Sequence, residues 1–586
     1  MKAEKKIPND KSVGPPSAAT APAPTPPPPP RQESWRETIE SIVIAFILAF
    51  LFRTFEAEAF VIPTGSMAPT LFGQHRDVTC ERCGTRFSVG ANVGTGPDSE
   101  IQRGSINAGN RLKYAVCPNA ACHYVNDVLG DEIFAGDRIL VNKFPYEFSD
   151  PVRWDVVVFK YPDGAKTNYI KRLVGLPGEE LHIRKGDIWV RKLHSDDPWR
   201  LARKPIEKQA KLQLIVHDND RPAKVLLEAG WPESWRGVAD SNWVGDPEKR
   251  SFRIDPSGNE TDRWQTLRYT HYIPQPADWN DLQSDRPLKT PMPQVVRDEY
   301  AYNMRITKGH SHTEGNQKFP TSHDGYAEYW VGDLTLSCEL HPESAKGEIQ
   351  LELVEGVRKY RCQFDLATGQ AQLSYPAEMG RDNDDDVVLL GPAFESKLTP
   401  GKPHQVRFCN VDDRLVVWVD DVVRQSVEME LDPASIYQAL APSSQAETPE
   451  DRSPIAVSVR GAAVRVAHLL IERDTYYTDR LNSMKVATEF ELNDYEDDNE
   501  DQFLMLGDNS PRSNDGRGWR EPYSVPRKLL IGKAFCIYWP HAVPFLNNGK
   551  GYPLKEYQEE FDKSATPIPR ISLPFVPQVG RMKRIW

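Results

Sequence analysis

Apolar residues alternate with polar ones through much of the later chain. Leu334, Leu336, Cys338 and Leu340 are interleaved with Thr335, Ser337 and Glu339, and Ile349, Leu351 and Leu353 repeat the pattern. Tyr360, Cys362, Phe364 and Leu366 repeat it again. A period of two puts one apolar face on each strand. Residues 406–408 and 415–419 flank Asp412 and Asp413 and predict a hairpin, while 455–459 and 464–471 predict two more strands. Strands at this spacing predict an antiparallel sandwich over 325–475. Nearer the N-terminus, Val156, Val157, Val158 and Phe159 form an unbroken strand-like run that ends at Pro162. Residues 192–324 are rich in Trp, Pro and charge, with poor periodicity, and predict no particular fold.

One segment is helical and apolar. Residues 42–52 carry no charge, and Arg36, Glu37, Glu40 and Arg53 lie near the ends of the wider stretch 35–55. The uncharged part falls short of the about 20 residues of a full span. A tilted or snorkelling helix with Trp35 at the interface accommodates it, so 35–55 is expected to be a transmembrane helix. The alternative is a removed targeting signal, because Ala57-Glu58-Ala59 has the A-x-A form and cleavage there would leave Phe60 first. Residues 1–34 form a Pro/Ala-rich tail with almost nothing to bury, expected to be disordered. Lys2, Lys5, Lys6, Lys11, Arg31 and Arg36 put that tail on the cytoplasmic side and everything after Phe55 outside.

With 586 residues the chain has room for about four domains. A net charge of -12 argues against a nucleic-acid binder, which needs clustered Lys and Arg. The acidic runs at 382–386 and 496–501 read as solvated loops, since neither has the spacing of a calcium loop. The eight cysteines divide unevenly. Cys80-x2-Cys83 and Cys117-x4-Cys122 resemble a zinc ribbon, in which four thiolates hold a structural ion. Two disulfides, free thiols, or a mixed ligand set with His123 or His75 are the alternatives. Four thiolates would leave no open position, which argues against catalytic zinc. Cys338, Cys362, Cys409 and Cys536 are isolated and mostly expected to be small buried hydrophobes, with a disulfide still open outside the cytoplasm.

The candidate chemistry lies in two short motifs, Pro63-Thr64-Gly65-Ser66-Met67-Ala68 and Tyr169-Ile170-Lys171-Arg172. A serine after an extended apolar run is a candidate nucleophile. A lysine among apolar residues can be kept neutral and take its proton. Five ordered blocks accompany these motifs: 60–72, 136–143, 153–162, 169–179 and 503–517, the last running on to Tyr538-Trp539-Pro540. In these separated blocks the chain resembles the type I signal peptidases, membrane-anchored Ser/Lys proteases.

That resemblance implies a mainly β fold. An antiparallel β catalytic core would stand on one N-terminal transmembrane helix and be interrupted by a zinc-ribbon-like module and a concanavalin-like (laminin-G-like) jelly roll. The expected core is 56–72, 136–191 and 500–545. The insertions are 73–135, 192–324 and 325–475, followed by a return linker at 476–499 and an extension at 546–586. The resemblance makes Ser66 the nucleophile and Lys171 the general base. Ser513 would orient the lysine, Asp515 and Arg517 would support it, and Thr64 would join the Ser66 N–H at the oxyanion. Glu179, Ser510-Pro511 and Gly516 depart from the family pattern without removing a catalytic atom.

The implied partners are secretory preproteins with A-x-A sites and the lipid bilayer of the cell membrane, with no cofactor for catalysis beyond structural zinc at Cys80, Cys83, Cys117 and Cys122. A glycan or other ligand of the sandwich is the sharper reading of that insertion, and a scaffold the blander one. Two alternatives stand beside this reading: a tethered binding protein with an inactive core, and a self-cleaving repressor-type Ser/Lys protease. The second is disfavoured by the absence of a DNA-binding helix pair. Both ends of the large insertion must return to one sheet, so excision of about 195–494 is expected to leave a core that still cleaves a short peptide.

Overall fold

The computed structural model describes residues 35–585 except 56, 92–111, 129–130, 132, 239–240, 256–261, 308–310, 315–316, 321–328, 378–385, 430–446, 482–483, 520–521, 541, 545–551, 554–571, 574 and 578–580. The expected disordered tail and most of the acidic run at 382–386 lie outside the described residues. The chain divides into two compact units, one ending at Thr54 and the other starting at Phe55. Trp35–Phe55 is a helix of 21 residues. Ile39, Ile42, Val43, Ile44, Phe46 and Ile47 on it are all exposed, so these six do not form a buried face. Among the described residues no helix is long and apolar enough to cross a membrane.

The second unit is mainly β, as expected. Its first sheet has seven antiparallel strands in the order Ala57–Val61, Arg138–Asn142, Leu530–Trp539, Val156–Lys160, Asn168–Gly175, Gln502–Leu506, Val525–Pro526. Val156, Val157, Val158 and Phe159 are all buried, because two separate apolar clusters cover the two faces of this sheet. Their continuous apolar run, instead of alternation, follows from that double burial. The chain end returns here too. Ile585 is buried in one of these clusters and its N–H donates to the Phe535 carbonyl, so part of the expected extension 546–586 belongs to the core.

Beside this sheet, Glu179–Arg184 pairs with Asp187–Lys192 on one side and Glu489–Leu492 on the other. The two ends of the large insertion are therefore neighbours, as the sequence argument requires. Between them lies the sandwich. One sheet contains Leu334–Pro342, His404–Val411, Arg414–Val419, Val422–Glu428 and Val464–Arg473; the other contains Glu348–Glu355, Arg358–Asp365, Gln370–Pro376, Val387–Glu395 and Ile455–Arg460. Leu336, Cys338, Leu351, Phe364, Phe408 and Val457 meet in a shared core. The expected hairpin turns at Asp412 and Asp413, which both take left-handed backbone angles (φ 53° and 50°).

The expected boundary at 324/325 is corrected by the strand pairing. Leu214–Asp218, Val244–Asp246 and Ser251–Ile254 join the first sandwich sheet, and Trp235–Gly237 and Gln265–Tyr269 join the second. These strands have three to five residues each, too short for a period of two to stand out from the surrounding Trp, Pro and charge. Nor are the two insertions separate. Leu112–Val116 of the cysteine module pairs with Val125–Asp127 and also with Arg305–Thr307 of the large insertion. Trp279 donates its indole N–H to the Cys122 carbonyl at 3.1 Å, and Ala223, Leu226 and Trp231 surround the same cysteines.

All eight cysteines are free thiols. Cys338, Cys362 and Cys409 are fully buried, and burial pushes the Cys338 and Cys409 thiols up to about 12, leaving them inert hydrophobes. Cys536 is half-buried.

Candidate active site

Ser66 lies in a tight 3-10 turn, Gly65–Met67, that follows the edge strand Ala57–Val61. Three hydrogen bonds fix the turn. The Ala68 N–H donates to the Gly65 carbonyl at 3.1 Å, the Asn509 N–H to the Ser66 carbonyl at 3.0 Å, and Asn509 Nδ2 to the Gly65 carbonyl at 3.0 Å. Lys171 comes from the interior strand Asn168–Gly175, opposite Val157. Its Nζ lies 2.7 Å from Ser66 Oγ, with Ser66 8% and Lys171 3% exposed. The Tyr169 ring centroid is 5.4 Å from the same nitrogen.

Arg172, next along the strand, points to the opposite face. There its guanidinium grips Asp508 through two hydrogen bonds of 2.6 and 2.7 Å and also donates to the Trp154 carbonyl and to Thr70 Oγ1. Thr70 in turn donates to Asp508. This buried fork ties the lysine strand to the 507–509 loop.

Gly507 sits where Ser513 and Ser66 converge. A Cβ at this position would collide with the Ser513 side chain and stand 2.5 Å from the Ser66 carbonyl oxygen, so only glycine allows the approach. Ser513 is buried, and its hydroxyl has no partner among the described residues. Beneath it, Asp515 Oδ2 accepts the Gly507 N–H at 3.0 Å. Arg517 donates to both Asp515 oxygens, at 2.9 and 2.7 Å, and both side chains are fully buried. Arg517 also donates to the Thr478 carbonyl, Ser510 Oγ and the Ser510 carbonyl. Removing one member of such a pair leaves a buried charge unmatched. Arg517→Ala is therefore expected to lower the unfolding free energy by about 3–5 kcal/mol, read as a shifted urea midpoint at constant slope.

The departures from the family pattern have local explanations. Ser510 is one of the groups that hold Arg517, and Glu179 pairs with Arg153 while accepting the Leu176 N–H at 2.9 Å. Thr64 is half-buried and does not cap the turn with its side chain.

Other residues of the site were not singled out from the sequence, and several come from the large insertion. Asn303 exchanges two hydrogen bonds with Asn509, at 2.6 and 3.0 Å, and so braces the group that holds the Ser66 turn. The Tyr302 ring occupies the space that a Cβ on Gly65 would need, and it stacks on Phe72 at 5.4 Å. The expectation that 195–494 can be excised without touching the site is therefore corrected. Its ends do meet, but residues 302, 303 and 478 help shape the serine turn and its support. Arg172 and Asp508 were inside legible blocks, yet nothing in the sequence paired them. Asn303 lies in the stretch without periodicity and gave no signal.

In the cysteine module, the four Sγ atoms of Cys80, Cys83, Cys117 and Cys122 lie within 4.8 Å of one another. His123 Nε2 instead meets Glu299 at 2.7 Å, and His75 Nδ1 meets the Gly73 carbonyl at 2.7 Å, so neither imidazole joins the cluster.

Known proteins resemble the part of the chain that builds this site. The family described as signal peptidase, peptidase S26, matches residues 129–226, which include Lys171 but not Ser66. The probable signal peptidase I-2 of Synechocystis sp. is 24% identical over 251 residues, covering 39% of this chain and 87% of that protein. Signal peptidase I of Pseudomonas aeruginosa is 40% identical over 86 residues, covering 11% of this chain and 30% of the relative. That of Pseudomonas fluorescens is 52% identical over 56 residues, covering 8% and 20%. Apart from the Synechocystis protein, the matches thus span well under half of these relatives. Among solved structures, the carbohydrate binding module CBM66 from Bacillus subtilis aligns with 41% of this chain and 95% of its own at 9% identity, with a TM-score of only 0.22. With a matching S26 segment and several signal peptidases I among its relatives, the chain is similar to the type I signal peptidases.

Proposed function

We propose that this protein is a membrane-anchored serine endopeptidase that removes N-terminal signal peptides from exported preproteins, with Ser66 as nucleophile and neutral Lys171 as general base. The observation that carries the reading is the buried 2.7 Å contact between Lys171 Nζ and Ser66 Oγ. Burial penalises the ammonium form, so the lysine can accept the serine proton as Oγ attacks the scissile carbonyl. The Ser66 N–H and the Thr64 hydroxyl would stabilise the oxyanion. Lys171 then returns the proton to the leaving amine and, after the signal peptide is held as an ester on Ser66, takes a proton from the attacking water. Ser513, brought near Ser66 by Gly507, would orient the ammonium group, and Asp515 and Arg517 would hold that loop rigid.

Substrate binding follows from the edge strand. Ala57–Val61 pairs only with Arg138–Asn142 among the described residues, so an extended segment can add as a further strand leading to Ser66. Tyr302 and Phe72 narrow the neighbourhood of the turn, which suits small side chains before the scissile bond. A preprotein with an A-x-A site should be cut after the second alanine, as read by the mass of the mature product. Replacing that alanine with phenylalanine should stop cleavage; equal cleavage of both substrates would refute the proposed specificity.

The exposed apolar helix Trp35–Phe55 is the proposed anchor, with the tail cytoplasmic and the catalytic unit outside. A structural zinc at Cys80, Cys83, Cys117 and Cys122 belongs to the same reading. Cys80 and Cys122, and likewise Cys83 and Cys117, have sulfurs 3.6 Å apart. Tetrahedral zinc with Zn–S bonds of about 2.3 Å would space sulfurs by about 3.8 Å, so the residues fit the ion. Metal analysis after purification without added zinc should give one zinc per chain. A zinc-free protein with two disulfides in a non-reducing peptide map would replace the ribbon with a stapled loop.

A further inference from the structure

The loop that carries Ser66 is held at both ends by one residue, Asp137. Ile62, before the turn, donates its N–H to the Asp137 carbonyl at 2.9 Å. Phe72, after it, accepts the Asp137 N–H at 2.9 Å and donates its own N–H to Asp137 Oδ2 at 2.8 Å. Asp137 immediately precedes the strand Arg138–Asn142 and is fully buried. A Cβ on the neighbouring Gly136 would stand 1.7 Å from the Ile62 carbonyl oxygen, so the two segments meet backbone to backbone. Residues 62–72 thus form a closed loop with Asp137 as its clip.

A buried carboxylate is costly unless a countercharge joins it. Arg581 supplies one: its guanidinium stands 2.5 Å from Asp137 Oδ2, on a side chain that is 17% exposed. The same guanidinium lies over the Phe72 ring, 3.9 Å from the centroid, where a cation–π attraction adds to the ion pair. Phe72 stacks on Tyr302, whose ring abuts Gly65 of the serine turn. Arg581 is itself anchored by the residues that follow it. The Lys583 carbonyl accepts the Ile537 N–H at 2.9 Å, and the Ile585 N–H donates to the Phe535 carbonyl at 2.8 Å. Ile585 belongs to the same apolar cluster as Ile62, Met67 and Leu71 of the loop. The strand Leu530–Trp539 therefore holds 583–585, and the segment meets the serine loop through both a charge and an apolar side chain.

We propose that Arg581 is a positioning residue for the proposed nucleophile: it fixes the Asp137 carboxylate and the Phe72 ring, and through them sets where Ser66 Oγ stands against Lys171 Nζ. Without the guanidinium, Asp137 keeps the Phe72 N–H but its charge is unmatched, and the clip loosens. A misplacement of about 1 Å at a reacting group costs on the order of 100-fold in rate. The effect on rate rests on the reading of Ser66 and Lys171 as the dyad; the effect on the loop does not.

Two readouts on the full-length protein keep these apart. Amide hydrogen exchange followed by mass spectrometry reads the loop without any need for activity. In Arg581→Ala the amides of 62–72 should exchange at least about tenfold faster than in wild type, while those of the sandwich strand Leu334–Pro342 stay unchanged. Arg581→Gln, which keeps the aliphatic stem and loses the charge, should move the same amides in the same direction. Arg581→Lys should restore protection, because an ammonium serves both the carboxylate and the ring. In cleavage of a short A-x-A peptide, kcat should fall about 10–100-fold in Arg581→Ala, with KM within about threefold, and should recover in Arg581→Lys. Loop exchange unchanged in both neutral variants would overturn the proposal, as would loosening spread equally over the sandwich or a loss carried by KM alone. A wild type that fails to cleave while its loop responds to Arg581→Ala would refute the peptidase reading and bear out the hold of Arg581 on the loop.

Discussion

Ser66→Ala is expected to reduce preprotein cleavage by at least about 10⁴-fold in kcat, the scale of loss when a serine hydrolase gives up its nucleophile. Its melting temperature and its fractionation with membranes should stay unchanged. The reason lies in how the turn is held. Asn509 fixes the carbonyls of Gly65 and Ser66, and Gly507 packs on the same backbone, so none of these contacts uses Ser66 Oγ. The substitution removes the attacking atom and one hydrogen bond to Lys171, and little else. Cleavage of an A-x-A preprotein by wild type and variant, followed by gel shift, reads the effect. Substantial residual activity in a folded variant would mean that another group attacks.

Lys171→Arg should be as inactive as Lys171→Ala. Arginine keeps the positive charge and much of the length, but its guanidinium does not lose a proton at accessible pH, so it cannot act as base. In the proposed dyad Ser66 and Lys171 would act as a unit, so each loss should approach that of removing both. The contact also makes the exchange costly in shape. Lys171 is buried against Tyr169 with its nitrogen on Ser66 Oγ, and a planar guanidinium is wider than the ammonium group it would replace. Activity recovered by arginine and absent with alanine would show that charge, not proton transfer, is required. Circular dichroism of both variants separates a chemical loss from misfolding.

Much of the site was legible because its residues lie in short blocks whose order is itself informative. Ser66 and Lys171, 105 residues apart, meet at hydrogen-bond distance. Asp515 and Arg517 form the buried pair that the resemblance implied. The alternation of Leu334, Leu336, Cys338 and Leu340 was readable because these four share one core, while Ser337 and Glu339 between them are only half-buried. Three things were hidden, each for a physical reason. The strands of 214–269 are too short to show a period, and they are held in place by long neighbours such as Val464–Arg473 and Ile455–Arg460. Asn303 and Tyr302 act through contacts some two hundred residues away or more, and no local pattern marks them. Arg172 and Asp508 stood in the quoted blocks, but their pairing is a property of the folded sheet.

The pH dependence of kcat/KM tests the central claim most directly, because the proposed chemistry needs Lys171 without its proton. Measured on a short A-x-A peptide over a range in which the enzyme stays folded, the rate should fall about tenfold per pH unit on the acid side, as one group takes up one proton. The sign is fixed by the mechanism: acid protonates the base and leaves Ser66 without an acceptor. A rate that stays level well into the acid range, with the enzyme folded and the substrate saturable, would contradict a neutral Lys171 as the base and with it the Ser66–Lys171 dyad.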